Sequence, residues 1–153
     1  MSVLTKNIRN IVFLSHSGAG KTTLVENLVF KGGSISKPGS VNSGTTVSDY
    51  SDDEKKRKNS INLSVAFYDK DGVKVNLLDA PGYLDYIGDV ASGINAADAA
   101  VFIIDAVGGI QVGTTKFWKL AQVKSLPGII VVNKMDKDNA DFQKILEAVK
   151  KKF

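Results

Sequence analysis

Residues Ile8 to Leu24 read IRNIVFLSHSGAGKTTL, and the fold is decided in this stretch. Ile8, Ile11, Val12, Phe13 and Leu14 are β-branched, aliphatic or aromatic enough for a buried central strand, which stops at a loop of serines and glycines. From Lys21 to Lys31, Leu24, Val25, Leu28 and Val29 form one helical stripe, and Gly32-Gly33 ends it. The loop therefore joins a strand to a helix. It matches the G-x-x-x-x-G-K-[ST] pattern except that Ser15 stands at the first glycine, a substitution that strains the backbone only where φ must be positive. Successive backbone N–H groups of such a loop wrap a phosphate, a lysine neutralises its charge, and a hydroxyl is placed for a cation. Ser17, Gly18, Ala19, Gly20, Lys21, Thr22 and Thr23 are the candidate cradle, with Thr22 the cation ligand. His16, the single histidine, is read as a loop or structural residue.

Working outward, strand-like and helix-like stretches alternate, the pattern of an α/β protein with a mostly parallel sheet between helices. Ser34 to Asn59, with Pro38, scattered glycines and serines, and the run Lys55-Lys56-Arg57-Lys58 after Asp52-Asp53-Glu54, has little periodicity and reads as a long, mobile loop with a solvated charge run. Ile61 to Tyr68 alternates, Asp69-Lys70-Asp71-Gly72 turns, and Val73, Val75 and Leu77 resume, which predicts one antiparallel hairpin. A helix is expected from Tyr83 to Ala97, weakened by Gly88 and Gly93. Further expectations are a buried strand from Ala99 to Ala106, a helix from Val112 to Val123 with Trp118 as a packing residue, a strand from Gly128 to Val132, and an amphipathic helix from Ala140 to Lys152. There is no internal repeat and no sign of a second domain.

Composition bounds the rest. The 153 residues are 43% hydrophobic, as in an ordinary globular domain. No apolar run approaches the roughly 20 residues that cross a bilayer, and the N-terminus lacks a secretory signal, so a cytoplasmic protein without a membrane partner is expected. With no cysteine and one histidine, a metal must be held by oxygen. A formal charge of +4 spread along the chain favours acidic partners only weakly, and direct DNA binding is not expected.

Two more elements end strands. Asp79-Ala80-Pro81-Gly82 offers a carboxylate for magnesium and, at Gly82, an unobstructed N–H for a γ-phosphate. Asn133-Lys134-Met135-Asp136 selects the base: guanine shows N1–H and an amino group side by side, and one carboxylate, Asp136, accepts both, whereas adenine has no such pair. Asn133 would touch the base or tie the phosphate loop, and the stem of Lys134 would lie over the purine. GTP or GDP with Mg2+ is the expected ligand; a general P-loop ATPase is the weaker alternative.

With these motifs in view, the sequence resembles the translational GTPases and, among them, elongation factor G, over essentially its whole length. HSGAGKTTL, INLSVAFYDKDGVKVNLLDAPGYLDY, ADAAVFIIDAVGGIQVGT and VVNKMD each look like stretches of that family's GTPase domain. The resemblance implies a P-loop three-layer sandwich and a hydrolase acting on GTP at the ribosome. It makes Ser60, in Arg57-Lys58-Asn59-Ser60-Ile61, the counterpart of the switch-loop threonine of R-G-I-T-I that binds magnesium beside Thr22, with Asp79 behind. Lys21, Gly82 and Tyr83 become the candidate catalytic residues. Tyr83 is a departure, because the family carries histidine there to orient the attacking water, and D-A-P-G-Y is more similar to the divergent bacterial elongation factor G-like paralogues than to the main translocase. Ribosomal protection proteins of tetracycline resistance share the plan but keep that histidine, so Tyr83 counts against them. Because family members continue with a further base-contacting loop, a last strand and helix and more domains, residues 1–153 are expected to be the N-terminal part of a longer protein, truncated before the last strand and helix. Tyr83 leaves a second reading, a GTP-binding switch or ribosome-binding module with little or no hydrolysis.

Overall fold

The computed structural model describes residues 4–153. A five-stranded sheet forms the middle layer: β1 (Ile8–Leu14), β2 (Ser64–Lys70), β3 (Val73–Asp79), β4 (Ala99–Asp105) and β5 (Gly128–Asn133), in the order β2-β3-β1-β4-β5. All pairings are parallel except β2 with β3. The central strand β1 pairs through Ile11 with Leu77 on one side and Ala99 on the other. The helices are α1 (Lys21–Lys31), α2 (Asp52–Arg57), α3 (Ile87–Ala96), α4 (Val112–Val123) and α5 (Phe142–Lys152).

Two-residue alternation in the strands divides the core between the faces. Phe13, Leu77 and Ile103 pack with Val25 and Val29 of α1, while Val12, Leu14, Leu78 and Phe102 pack with Val90 and Ile94 of α3 and Phe117 and Ala121 of α4. Trp118 tilts against Phe102 at 4.7 Å and stacks on Phe153 at 4.5 Å, so it is a packing residue that joins α4 to the end of α5. Gly93 brings α3 close to the sheet: a Cβ there would stand 3.0 Å from Leu63 and 3.1 Å from Val12.

The structure corrects three expectations. The hairpin turns only at Asp71-Gly72, and β2 begins at Ser64, because Ile61 to Leu63 are drawn towards α2 and α3 instead of pairing with β3. The helix expected from Tyr83 is a 3-10 turn, Leu84–Tyr86, followed by α3 from Ile87. Residues 34–59 are not featureless. Val41–Ser43 is a 3-10 turn, and the charge run lies in α2, whose N-cap Ser51 forms a capping box with Glu54. Three acidic residues in the first turn of α2 and three basic ones in the last complement its dipole. Among the described residues no helix is long and apolar enough to cross a membrane.

Candidate functional site

The carboxyl ends of β1, β3, β4 and β5 share one edge of the sheet, and β1 leads into a cleft of about 420 Å³ lined by Ser17, Lys21, Thr22, Ser60 and Gly82 among others. In open α/β sheets ligands sit at this edge, where the chain connections diverge to opposite faces. Helix α1 starts there without a side-chain cap and without an acidic residue in its first turn, so its first N–H groups stay available to an anion. Gly18 and Gly20 have φ of 81° and 93°. Gly20 is required twice over, by its left-handed backbone and because a Cβ would collide with the Asn133 amide. Ser15 is not among the positive-φ residues; it is buried, and its hydroxyl has no partner among the described residues. The serine in the motif's first-glycine position therefore fits without strain. His16 is half-buried, and its Nδ1 lies 3.0 Å from where a Cβ on Gly113 of α4 would stand.

Lys21 Nζ donates to Asp79 Oδ1 at 2.7 Å, in a pair 6% and 0% exposed. Thr22 Oγ1 and Ser60 Oγ are 3.0 Å apart, and Ser60 Oγ donates to Asp49 Oδ1 at 2.7 Å. Three segments thus bring hydroxyls and carboxylates to one point. Burial pushes the Asp49 carboxyl up and the nearby Asp79 adds to this, against the Ser60 hydroxyl and Lys21. Asp49 Oδ2 and Asp79 Oδ2 are buried without a hydrogen-bond partner among the described residues. Two buried carboxylates against one lysine leave a negative excess. Their spare oxygens, with the two hydroxyls, are the all-oxygen donor set that suits a hard divalent cation.

Gly82 closes on the phosphate loop: the Ser17 N–H donates to its carbonyl at 3.2 Å, and a Cβ on Gly82 would lie 2.7 Å from Ser17 Cα. Tyr83, 41% exposed, follows it. From the far end of the sheet, Asn133 Nδ2 donates to the Ala19 carbonyl at 2.9 Å. Lys134 Nζ donates to the Gly18 carbonyl and to Asp105 Oδ2, both at 2.6 Å. Lys134 adopts φ 63°, a left-handed geometry costly for a lysine, which turns its side chain back beneath the loop. Burial raises the Asp105 carboxyl, but the Lys134 ammonium and the N–H groups of Gly108 and Val107 outweigh it and hold it below the usual carboxylate range. Ala19 is buried, Thr23 is exposed, and Asp136 stands exposed outside the cleft lining.

Several residues escaped the sequence reading. Asp49 sits in a polar segment, 11 residues before its partner Ser60, with no local pattern to mark it. Glu26, buried in α1, accepts N–H bonds from Gly39 and Val47, and Glu54 accepts from Ser51, Ile61 and Asn62. Asp105 did carry a signal, as a carboxylate ending a strand next to the central one.

A family model described as the elongation factor Tu GTP binding domain matches residues 6–153. An elongation factor G-like protein of Mycobacterium tuberculosis is 40% identical over 146 residues, covering 95% of this chain and 20% of that protein. A mitochondrial ribosome-releasing factor 2 of Drosophila willistoni is 38% identical over 149 residues, 97% of this chain and 20% of its own length. Tetracycline resistance protein TetP of Clostridium perfringens is 39% identical over 95% of this chain and 22% of its own, so overall identity does not separate these branches. A crystal structure of a Thermus thermophilus protein superposes with a TM-score of 0.90 at 40% identity, over 94% of this chain and 22% of that one. The chain therefore spans about a fifth of the length of these relatives. With a phosphate loop, a strand-end carboxylate and an Asn-Lys-x-Asp loop gathered at one sheet edge, this chain belongs to the elongation factor Tu GTP binding domain family.

Proposed function

We propose that residues 1–153 are the GTPase domain, at the N-terminal end, of a longer cytoplasmic protein that resembles elongation factor G, hydrolyses GTP with Mg2+ and uses the cycle to drive a switch at the ribosome. Its partners are guanine nucleotide and the ribosome, not DNA or a membrane. The observation that carries this reading is the meeting of Lys21, Thr22, Ser60, Asp79 and Gly82 at the start of α1, with Asn133 and Lys134 bracing the same loop.

The chemistry is positioning and electrostatics. Lys21 and the N–H groups of Gly18 and of Gly20 to Thr23 take up phosphate charge, the Ser17 and Ala19 N–H groups being engaged by the Gly82 and His16 carbonyls. Thr22 and Ser60 would hold the cation, with Asp79 and Asp49 behind them, each keeping one buried oxygen without a hydrogen-bond partner among the described residues. Mg2+ supplies the positive charge that two buried carboxylates and a polyphosphate share. The Gly82 N–H meets the γ-phosphate, and Asp136 reads guanine. Tyr83 stands beside the attacking water, where its phenol hydrogen-bonds the water and orients it. Loss of the γ-phosphate frees Ser60 and its loop, which is the switch.

Tyr83 also favours the second reading, a switch or ribosome-binding module that binds GTP with little hydrolysis. Multiple-turnover phosphate release by the complete gene product, with and without ribosomes and with Mg2+ or EDTA, separates the two. Ribosome-stimulated, Mg2+-dependent turnover is expected; tight GTP binding with no turnover in either condition leaves the switch reading.

A further inference from the structure

Ser17 touches two loops remote from it in sequence. Its N–H holds the Gly82 carbonyl, and its hydroxyl donates to Asn59 Oδ1 at 3.1 Å across 42 residues. The orientation of the Asn59 amide is fixed from the other side, because Asn59 Nδ2 donates to the Arg57 carbonyl at 2.9 Å, which turns Oδ1 towards Ser17. The Asn59 backbone is held as well, its N–H donating to the Glu54 carbonyl at 3.2 Å. Asn59 is therefore a rigid extension of α2. Its neighbour Ser60 meets Thr22. Two consecutive residues thus dock the 34–63 loop onto the phosphate loop, Asn59 at Ser17 and Ser60 at Thr22, five residues further along.

We propose that the Ser17–Asn59 hydrogen bond is a polar latch that keeps the 34–63 loop closed over a bound nucleoside triphosphate, with Asn59 a positioning residue for Ser60. The inference rests on the guanine-nucleotide site above and adds to it a residue that no motif marks. The latch discriminates between nucleotides by the reach of their phosphates. A diphosphate is held by Lys21, Thr22 and the loop amides, whatever the state of the 34–63 loop. A γ-phosphate lies between Ser60 and Gly82, the residues flanked by Asn59 and Ser17, so its retention depends on the loop staying closed. The latch is polar and half-buried, and a neutral hydrogen bond of this kind changes an equilibrium by about three- to tenfold. It also joins the two partners of the γ-phosphate at one point: opening at Asn59 releases the hydroxyl of the same serine whose N–H carries Gly82.

The test is dissociation of a fluorescent non-hydrolysable GTP analogue and of fluorescent GDP, both with Mg2+, from the complete gene product. Asn59→Ala is expected to speed analogue release about three- to tenfold while GDP release stays within about twofold of wild type. In a Ser17→Ala background, Asn59→Ala should add less than about twofold, and Ser17→Thr, which keeps the hydroxyl, should restore the wild-type analogue rate. Equal acceleration of both nucleotides, multiplicative effects of the two substitutions, or no change in analogue release overturns the latch. Because the assay reads binding alone, a protein that releases the analogue as expected yet never turns over GTP refutes hydrolysis and keeps the latch. A protein that binds neither nucleotide refutes the site and the latch together.

Discussion

In the proposed reading Asp136 bears the choice of base, and its chemistry makes that choice testable by a single atom. A carboxylate accepts from both donors of guanine, N1–H and the exocyclic amine. Asp136→Asn replaces one acceptor by an NH2 donor, which matches xanthine, where a carbonyl stands in place of the amine. The expected outcome is an affinity for GTP lowered about a hundredfold or more, with xanthosine triphosphate preferred instead, measured by competition for a fluorescent nucleotide. Unchanged GTP affinity would remove Asp136 from the base site. At this scale the sequence was readable where a motif fixes spacing: the strand-end carboxylate of Asp79 lies 2.7 Å from Lys21 of the phosphate loop, and Asn133 braces the Ala19 carbonyl. Ser15, which looked like a defect of the loop, needs no positive φ. Asp49 was not readable, because its contact with Ser60 is made by the path of a loop rather than by a periodic element, and neither residue constrains the other in sequence.

At the scale of elements, the regular strands and long helices follow from periodicity, since each buries a face whose repeat of two or 3.6 is written in its apolar residues. Residues 34–59 have no such face. Their structure comes from polar contacts: the capping box of Ser51 and Glu54, and two buried glutamates that gather backbone N–H groups from distant positions. Ser51-Asp52-Asp53-Glu54 has the spacing of a capping box, and that signal was obscured by the charge run that follows it. Glu54 is the hinge of this arrangement. Its burial raises the carboxyl, but the N–H groups of Ile61, Asn62 and Ser51 and the Ser51 hydroxyl outweigh burial and hold it below its ordinary 4.5. A depressed carboxyl stabilises the fold above the unfolded value and loses that contribution as pH falls through the folded one. Glu54→Gln should therefore lower stability by about 1–3 kcal/mol at pH 7 and flatten the acid limb of the stability profile below about pH 4.5, as read by urea unfolding across pH. A variant as stable as wild type, with the same acid limb, would show that α2 is held by other contacts.

On the scale of the whole molecule, the sheet order β2-β3-β1-β4-β5 sends the phosphate loop, Asp79, Asp105 and Asn133 to one edge, and the core on both faces fixes their spacing. That edge concentrates uncompensated groups: the bare N–H groups opening α1, and two buried carboxylates with only Lys21 between them. Groups of this kind weaken a fold on their own and strengthen it through whatever they bind, so ligand and stability are coupled. Binding confined to the native state adds RT ln(1 + [L]/Kd), or about 2.7 kcal/mol at a hundredfold excess over Kd. For a domain of this size that raises the melting temperature by about 5–10 °C. GDP with Mg2+ should produce this shift in thermal unfolding. EDTA should remove part of it, because the Asp49 and Asp79 oxygens then face the phosphates without a cation between them, and ATP with Mg2+ at the same concentration should leave the curve in place. An equal shift with ATP would mean that phosphates alone are recognised and that Asp136 selects nothing; no shift with either nucleotide would mean that this edge, however well assembled, is not a nucleotide site.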